Sequence, residues 1–111
     1  MPGRVDLLHG TLDMLALQAL TSGPMHGFGI NRWIEQQSGD HLAIEEGALY
    51  PALHRLHRRG WVDAAWGTSD NKRRAKFYNL TDAGRAELAA RVRSWRAATS
   101  AVNRILRTQP A

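Results

Sequence analysis

The first half of the chain repeats apolar residues at the spacing of amphipathic helices. Leucines and alanines within residues 7–20 recur every three or four positions and predict a first helix, which the Gly23-Pro24 pair separates from the next. A second helix is predicted over residues 26–38. We expect its inner face to be formed or bordered by Phe28, Ile30, Trp33, Ile34 and Gln37.

A third helix is predicted over residues 45–60, after a short extended piece at residues 41–44, and it has two unlike faces. Its apolar stripe consists of Leu49, Ala52, Leu53 and Leu56. The opposite side carries Pro51, His54, Arg55 and Arg58. Such a helix could rest on a small core and offer cations to a nucleic-acid groove. An ordinary helix with a solvated basic face shows the same pattern, so this helix alone does not indicate a function.

Alternating positions after the third helix predict a two-stranded hairpin with a polar, basic tip. Val62, Ala64 and Trp66 alternate with more exposed neighbours, and Tyr78 and Leu80 alternate likewise on the return strand. Three tryptophans are expected to pack in the core or on the hairpin: Trp33, Trp61 and Trp66.

The order of these elements predicts the fold class. Thr81 is a candidate N-cap for a last helix that runs to about Arg107. Three helices, a hairpin and one long helix predict a mainly α fold with a small β-hairpin, a winged helix-turn-helix plus a long C-terminal dimerisation helix. We assign residues 1–80 to the winged helix-turn-helix DNA-binding domain and residues 81–111 to the dimerisation helix.

The charge balance favours an anionic partner. The chain has 15 Lys and Arg against 10 Asp and Glu, a formal net charge of +5. It has no cysteine, which excludes disulfides, cysteine-ligated zinc and thiol nucleophiles. No segment approaches the roughly 18 uninterrupted apolar residues of a membrane span, and no signal peptide is recognisable. We therefore expect a cytoplasmic protein without membrane contact.

The predicted hairpin tip is strongly basic. Its polar residues are Asn71, Lys72, Arg73, Arg74 and Lys76. In a winged helix this tip lies near the third helix, so one duplex could touch both basic surfaces, and binding would then depend on salt. A charged tip also keeps an edge hairpin soluble. It is the combination with the basic helix that indicates nucleic-acid binding.

Side-chain chemistry suggests separate roles for these residues. Arg55 and His54 are the candidates for reaching base edges, because arginine can make two hydrogen bonds to guanine. The candidate phosphate contacts are Arg58, Arg59, Lys72, Arg73, Arg74 and Lys76. Tyr50 could donate its hydroxyl to a phosphate or be half-buried packing. Asn71 could bind the sugar-phosphate backbone or only make the turn.

The last helix carries two interleaved seven-residue repeats that predict a coiled-coil seam. The seam consists of Leu88, Val92, Trp95, Thr99, Val102 and Leu106. The stripe could instead pack back onto its own domain. Because no other long element is left to cover it, we expect a homodimer whose two reading helices lie about one DNA turn, ~34 Å, apart. Trp95 could be interface packing or could stack on an aromatic ligand.

Five segments carry a combination of motifs. They are Gly10-Thr11-Leu12-Asp13, Pro24-Met25-His26-Gly27-Phe28-Gly29-Ile30, Glu45-Glu46-Gly47-Ala48-Leu49-Tyr50-Pro51-Ala52-Leu53-His54-Arg55-Leu56, Arg73-Arg74-Ala75-Lys76-Phe77-Tyr78 and Leu80-Thr81-Asp82-Ala83-Gly84. Together, over roughly residues 7–90, they resemble the PadR family of transcriptional regulators, in its short form with a single C-terminal helix.

The resemblance implies a homodimeric winged-helix repressor that binds a palindromic operator in double-stranded DNA. It places Ala48 and Pro51 among the DNA-binding residues, and it implies in some members a small, flat aromatic effector at or near the dimer interface. Two positions depart from the usual pattern. Phe28 stands where the family often has Tyr, and Ala48 stands where Ser or Thr is common, so residue 48 has no hydroxyl to offer to DNA.

Enzymatic function is not expected. The chain has no phosphate-binding loop and no nucleophile motif, and its carboxylates do not gather. His54 and His57 could share a metal, but without a carboxylate at helical spacing we predict no metal site and no cofactor. Three classes therefore stay open: a sequence-specific dimeric repressor, a winged-helix module for protein or non-specific nucleic-acid contacts without effector control, and a small-molecule sensor whose DNA binding is secondary.

Overall fold

A computed structural model describes residues 10–108. Over these residues the chain forms α1 (Thr11–Ala19), a short 3-10 helix (Leu20–Ser22), β1 (Met25–His26), α2 (Gly27–Gln37), α3 (Glu46–Arg58), β2 (Val62–Thr68), β3 (Arg74–Leu80) and α4 (Asp82–Leu106). This order confirms the predicted winged helix-turn-helix with one long helix after it. Residues 7–9, which were included in the first predicted helix, lie outside the described part.

The core lies between the first three helices and the base of the hairpin. Its largest fully buried side chains are Leu17, Leu20, Ile30, Leu49, Leu53, Leu56 and Val62. Each such burial stabilises the fold by roughly 1.5–3 kcal/mol. The apolar stripe predicted for α3 is therefore its inner face. Trp33 and Trp61 are half-buried against this core, as predicted.

The sheet has one strand that the sequence did not reveal. Its order is β1-β3-β2, and both pairings are antiparallel. In the short strand, Met25 pairs with Tyr78 and His26 pairs with Phe77. Two residues are too few to show an alternating pattern, so no sequence signal was available. Residues 41–44, predicted as a short extended piece, form a bend and an irregular connection that belongs to no strand.

The junction between the hairpin and α4 is closely packed. The hydroxyl of Thr81 accepts a hydrogen bond from the amide of Gly84 at 3.0 Å, which confirms the predicted N-cap. The same hydroxyl donates to the carbonyl of Gly60 at 2.7 Å. A Cβ atom at Gly84 would collide with the backbone carbonyl of Trp61. Glycine at this position therefore lets the start of α4 lie directly on the start of β2.

Two aromatic side chains lie on the surface, although the sequence predicted inner or packing positions for them. Phe28 and Trp66 are each 61% exposed. On α2 the buried Ile30 and Ile34 define the inner face, and Phe28 lies on the outer side. Gln37, the last residue of the helix, is exposed as well. Trp66 does lie on the inward face of the hairpin. At this position, however, the two strands extend beyond the core, so the side chain stays exposed.

The predicted seam on α4 is divided between two environments. Leu88 is buried and Val92 half-buried against the chain's own core, which is the alternative considered for the whole stripe. Farther along the helix the large apolar side chains are exposed: Trp95, Val102, Ile105 and Leu106. Within residues 10–108, the core does not extend far enough to cover this second half of α4.

Candidate nucleic-acid interface

The outward face of α3 is narrower than the predicted basic face. Gly47, Pro51, His54 and Arg58 are exposed and lie opposite the buried leucines. Ala48 is also exposed, nearer to one edge. At 100° per residue, Arg55 is on the flank that faces α1, and Tyr50 is on the opposite flank. His54 and Arg58 are therefore the side chains of this helix that can most directly enter a groove.

Arg55 is engaged inside the protein. Its Nη2 donates a 2.8 Å hydrogen bond to Oδ1 of Asp13 in α1, and the two side chains form an ion pair. The Asp13 side chain is 9% exposed and the Arg55 side chain 42%. The structure thus places Arg55 beside the outward face of α3 and attaches it to the first helix. No role was predicted for Asp13, because nothing local indicates a partner 42 positions away.

Tyr50 connects three elements on the other flank of α3. Its ring lies against Gly27 at the start of α2, where a Cβ atom would be 2.8 Å from the ring. Tyr78 of β3 is close enough that the two hydroxyls interact electrostatically. Burial raises the pKa of the Tyr78 hydroxyl above its ordinary value, and Tyr50 adds to the increase. Tyr50 is 47% exposed, so packing and a free outer edge occur together.

The hairpin tip is a closed turn with outward cations. The Ser69 hydroxyl donates to Oδ1 of Asn71 at 2.6 Å and to the carbonyl of Arg73 at 3.0 Å, and the Ser69 amide donates to the same carbonyl at 2.8 Å. Lys72 has a φ of 61°, in the left-handed region that a tight turn requires. Asn71 therefore has a turn role in the structure. Exposed cations surround it: Lys72, Arg73, Arg74 and Lys76.

A groove with a volume of about 840 Å³ lies between α2 and the hairpin. We call it the wing groove, lined on one side by Phe28 and Arg32 and on the other by Trp66, Arg74 and Lys76. The pairing of Trp66 with Lys76 across the hairpin puts both on the inward face. The wing groove brings exposed aromatics and cations together next to the tip and to α3.

The α2 side of this groove was not among the predicted site residues. Phe28, Arg32 and Gln36 are spaced four apart and form one exposed face. The spacing was visible in the sequence, but Phe28 was assigned to the inner face. On α4, the exposed apolar side chain of Ile105 was not predicted to belong to the seam, because it falls outside the seven-residue repeat.

The described residues hold neither a metal-binding cluster nor a membrane-crossing helix. Across residues 10–108 no cluster of three or more His, Cys, Asp or Glu side chains is arranged to hold a metal ion. In the same part of the chain, no helix has the length and apolar composition needed to cross a membrane. A basic helix face beside a basic wing, on a winged helix-turn-helix, defines a DNA-binding protein of the winged-helix class.

Comparison with known proteins gives the family. Residues 16–90 match the transcriptional regulator PadR-like family. The chain belongs to this family of DNA-binding transcriptional regulators and is not an enzyme. It is 28% identical over 77 residues to the negative transcriptional regulator PadR of Bacillus subtilis, an alignment that covers 69% of this chain and 42% of that protein. It is 27% identical over 92 residues to an uncharacterized protein of Lysinibacillus sphaericus, covering 83% of this chain and 84% of the relative.

Solved structures share the fold over nearly the whole chain. A transcriptional regulator from Clostridium thermocellum is similar with a TM-score of 0.80 and 25% identity, covering 90% of this chain and 97% of that one. A PadR family transcription regulator from Clostridium difficile has a TM-score of 0.75 and 26% identity, covering 87% and 99%. A PadR family regulator from Eggerthella lenta has a TM-score of 0.75 and 29% identity, covering 90% and 85%.

Proposed function

We propose that this regulator is a homodimeric repressor that binds a palindromic operator in double-stranded DNA and is released by a small effector. The observation that carries the proposal is the exposed face of α3, where His54 and Arg58 lie opposite the buried leucines, together with the exposed cations of the hairpin tip. The relative from Bacillus subtilis is a negative transcriptional regulator, which supports repression rather than activation. The electrostatic surface supplies affinity, and the helix supplies base contacts.

The positions of the side chains on α3 rank the candidate base contacts differently from side-chain chemistry alone. His54 lies on the outward face, so we propose it as the first base contact, with Arg58 beside it. Arg55 keeps a smaller role in reading, because Asp13 occupies one edge of its guanidinium. We propose Tyr50, Lys72, Arg73, Arg74 and Lys76 as phosphate contacts, and Ala48, Pro51 and Asn71 as surface that approaches DNA without a charge.

Binding to a promoter duplex and to a random duplex, titrated with salt, tests the proposal. We expect tighter binding to the promoter fragment at every salt concentration and a similar salt slope for both duplexes. Replacing His54 or Arg58 with Ala should reduce the preference, whereas Lys72→Ala, at a proposed phosphate contact, should weaken both complexes alike. Equal binding of both duplexes at all salt concentrations would instead support the non-specific winged-helix module.

The exposed second half of α4 supports the homodimer. Val102, Ile105 and Leu106 leave an apolar surface in water that a second copy would bury. Sedimentation velocity should give a dimer for the wild type and a monomer for Val102→Glu. Ala97→Glu, an exposed substitution on the opposite side of the same helix, adds the same charge and should stay dimeric. A monomeric wild type would contradict the dimer while leaving the DNA-binding surface intact.

A small cavity beside Trp95 supports effector control. It has a volume of about 400 Å³ between the start of α1 and α4, and Met14, Glu87, Arg91 and Trp95 are among its lining residues. Arg91 is paired with Glu87 at 2.7 Å, so the aromatic wall rather than a free charge suits a planar aromatic ligand. Tryptophan fluorescence titrated with a panel of planar aromatic compounds tests this site. Quenching that survives Trp95→Ala, or the absence of any quenching, would count against it.

A further inference from the structure

The wing groove has two features that a charged hairpin tip does not require. Phe28 on α2 and Trp66 on β2 expose most of their rings to water on its two sides. Exposed apolar surface of this kind, concentrated in one concave place, marks an interaction surface. Neither ring is needed to build the core, because both lie outside it.

An arginine side chain lies over each exposed ring. The guanidinium carbon of Arg32 is 5.9 Å from the ring centre of Phe28, and that of Arg74 is 4.7 Å from the ring centre of Trp66. Such a cation–π contact attracts the guanidinium to the face of the ring. The ring contacts the face of the guanidinium and uses none of the guanidinium's N–H donors. The contact therefore restricts the position of the arginine and leaves its donors available for an anionic acceptor.

The charge of the wing groove selects the kind of occupant. Among the described residues that line it, the basic side chains are Arg32, Arg73, Arg74 and Lys76, and the acidic one is Asp70. Its volume of about 840 Å³ is far larger than one anion needs. Cations on both sides of the groove, Arg32 on α2 and Arg74 and Lys76 on the hairpin, suit a chain of linked anions. The groove is also continuous with the hairpin tip and with Tyr50 of α3, which line the surface proposed to face DNA.

We propose that the wing groove takes the phosphodiester backbone of double-stranded DNA, with Arg32 and Arg74 as phosphate contacts that Phe28 and Trp66 hold in position. The inference rests on the proposed DNA binding and adds one face of α2 to the contact surface. Arg32 is the discriminating residue, because it lies outside both the reading helix and the hairpin. Phe28 and Trp66 are positioning residues that act through their arginines.

A short duplex of random sequence tests this proposal, since backbone contacts do not depend on sequence. Fluorescence anisotropy at several salt concentrations gives the affinity and its salt slope. Arg32→Ala should weaken binding about tenfold and reduce the slope by about 0.9. The control is Arg93→Ala, an exposed arginine on α4 that removes the same charge away from the groove and should leave the slope unchanged.

The aromatic residues are tested by conservative rescue and by a double-mutant cycle. Phe28→Ser and Trp66→Ser should weaken binding, and Trp66→Phe should restore it. Because Trp66 acts through Arg74, the variant with both Trp66→Ser and Arg74→Ala should bind as Arg74→Ala alone does. Circular dichroism of each variant confirms the fold, which the exposure of these side chains should preserve. Additive losses in the cycle would overturn the positioning role.

The outcomes separate this proposal from the proposed function. If Arg32→Ala and Phe28→Ser match Arg93→Ala in affinity and slope, the wing groove does not receive DNA, whatever the preference of the wild type for a promoter. If the wild type binds promoter and random duplexes equally while Arg32→Ala loses slope, the groove proposal stands and the sequence-specific repressor fails. A wild type that binds no duplex overturns both.

Discussion

Oδ1 of Asp13 accepts a 2.8 Å hydrogen bond from Nη2 of Arg55, and this ion pair joins α1 to α3 across 42 positions of sequence. The carboxylate is almost fully buried and the guanidinium partly exposed. The pair attaches α3 to α1, and it leaves only part of the guanidinium for solvent or DNA. Arg55, which was predicted to contact bases, therefore also holds two helices together.

Removing either partner should cost stability in the same way. Asp13→Ala and Arg55→Ala should each lower the free energy of unfolding by about 1–2 kcal/mol, less than a fully buried pair because Arg55 is partly in water. The double variant should lose little more than either single one. Urea denaturation measures all three, with the exposed Arg58→Ala as a control that should change stability by less than about 0.5 kcal/mol. Strictly additive losses would show that the contact contributes no coupling.

DNA binding by the same variants separates reading from scaffolding. If Arg55 contacts a base, Arg55→Ala should relax sequence preference by about 1–3 kcal/mol. Asp13→Ala should keep that preference, since it leaves the guanidinium in place. If the two variants change preference alike, Arg55 acts through the position of α3 rather than through a base.

How much of the structure could be predicted depended on whether the signal was local. The buried stripe of α3 and the Thr81 cap follow from residues three or four apart, and both were predicted from the sequence. The two-residue strand Met25–His26 and the Asp13 contact depend on partners far along the chain, which periodicity does not show. The seam on α4 was readable as apolar spacing. Where the domain stops covering it is a property of the packed structure.

The candidate site shows the same limit. The cations of the hairpin tip could be predicted from the local run of basic residues, and in the structure they lie exposed at the tip. Phe28 was assigned to the wrong side of α2, because a single large apolar side chain near a helix start outweighed the phase set by Ile30 and Ile34. With that assignment, the exposed row that includes Arg32 could not be recognised, and the wing groove emerged only from the three-dimensional arrangement.

Two glycines at the start of α2 should respond differently to the same substitution. A Cβ atom at Gly27 would lie 2.8 Å from the Tyr50 ring, whereas one at Gly29 would meet His26 at an ordinary 3.5 Å. We expect Gly27→Ala to displace Tyr50 and to lower the free energy of unfolding by about 1–3 kcal/mol. Gly29→Ala should be neutral or stabilising by up to about 1 kcal/mol, since alanine favours the helix.

Thermal denaturation of the two alanine variants checks this difference. Adding Tyr50→Ala to Gly27→Ala removes the ring that causes the overlap, so the double variant should recover most of the loss caused by the Gly27 substitution. Equal stability of Gly27→Ala and Gly29→Ala would contradict the close contact between Gly27 and Tyr50.

Ionisation of Tyr78 should make the fold less stable at alkaline pH. Its pKa is raised from 10.0 in the folded state, first by burial and then by Tyr50. The folded protein therefore holds the phenol proton more tightly than the unfolded chain does. The resulting stabilisation is fully present below the unfolded pKa and is lost as pH rises through the folded pKa.

Urea denaturation at a series of pH values, for the wild type and for Tyr78→Phe, tests this dependence. Phenylalanine keeps the buried ring and removes the titrating hydroxyl. Above about pH 10 the free energy of unfolding should fall more steeply with pH for the wild type than for the variant. Parallel curves for the two proteins would show that Tyr78 does not contribute.

Pro51 lies inside α3, where it removes a backbone donor from the exposed face. Without an N–H at this position, the carbonyl of Gly47 one turn earlier has no i+4 partner, and both residues are exposed on the side proposed to face DNA. Pro51→Ala should restore the helical hydrogen bond and raise the free energy of unfolding by up to about 3 kcal/mol. If the ring or the unpaired carbonyl contacts DNA, the same variant should bind the promoter duplex more weakly despite its greater stability. Thermal denaturation and anisotropy on one protein sample measure both effects. A variant that is more stable and binds equally well would leave Pro51 with a structural cost and no part in recognition.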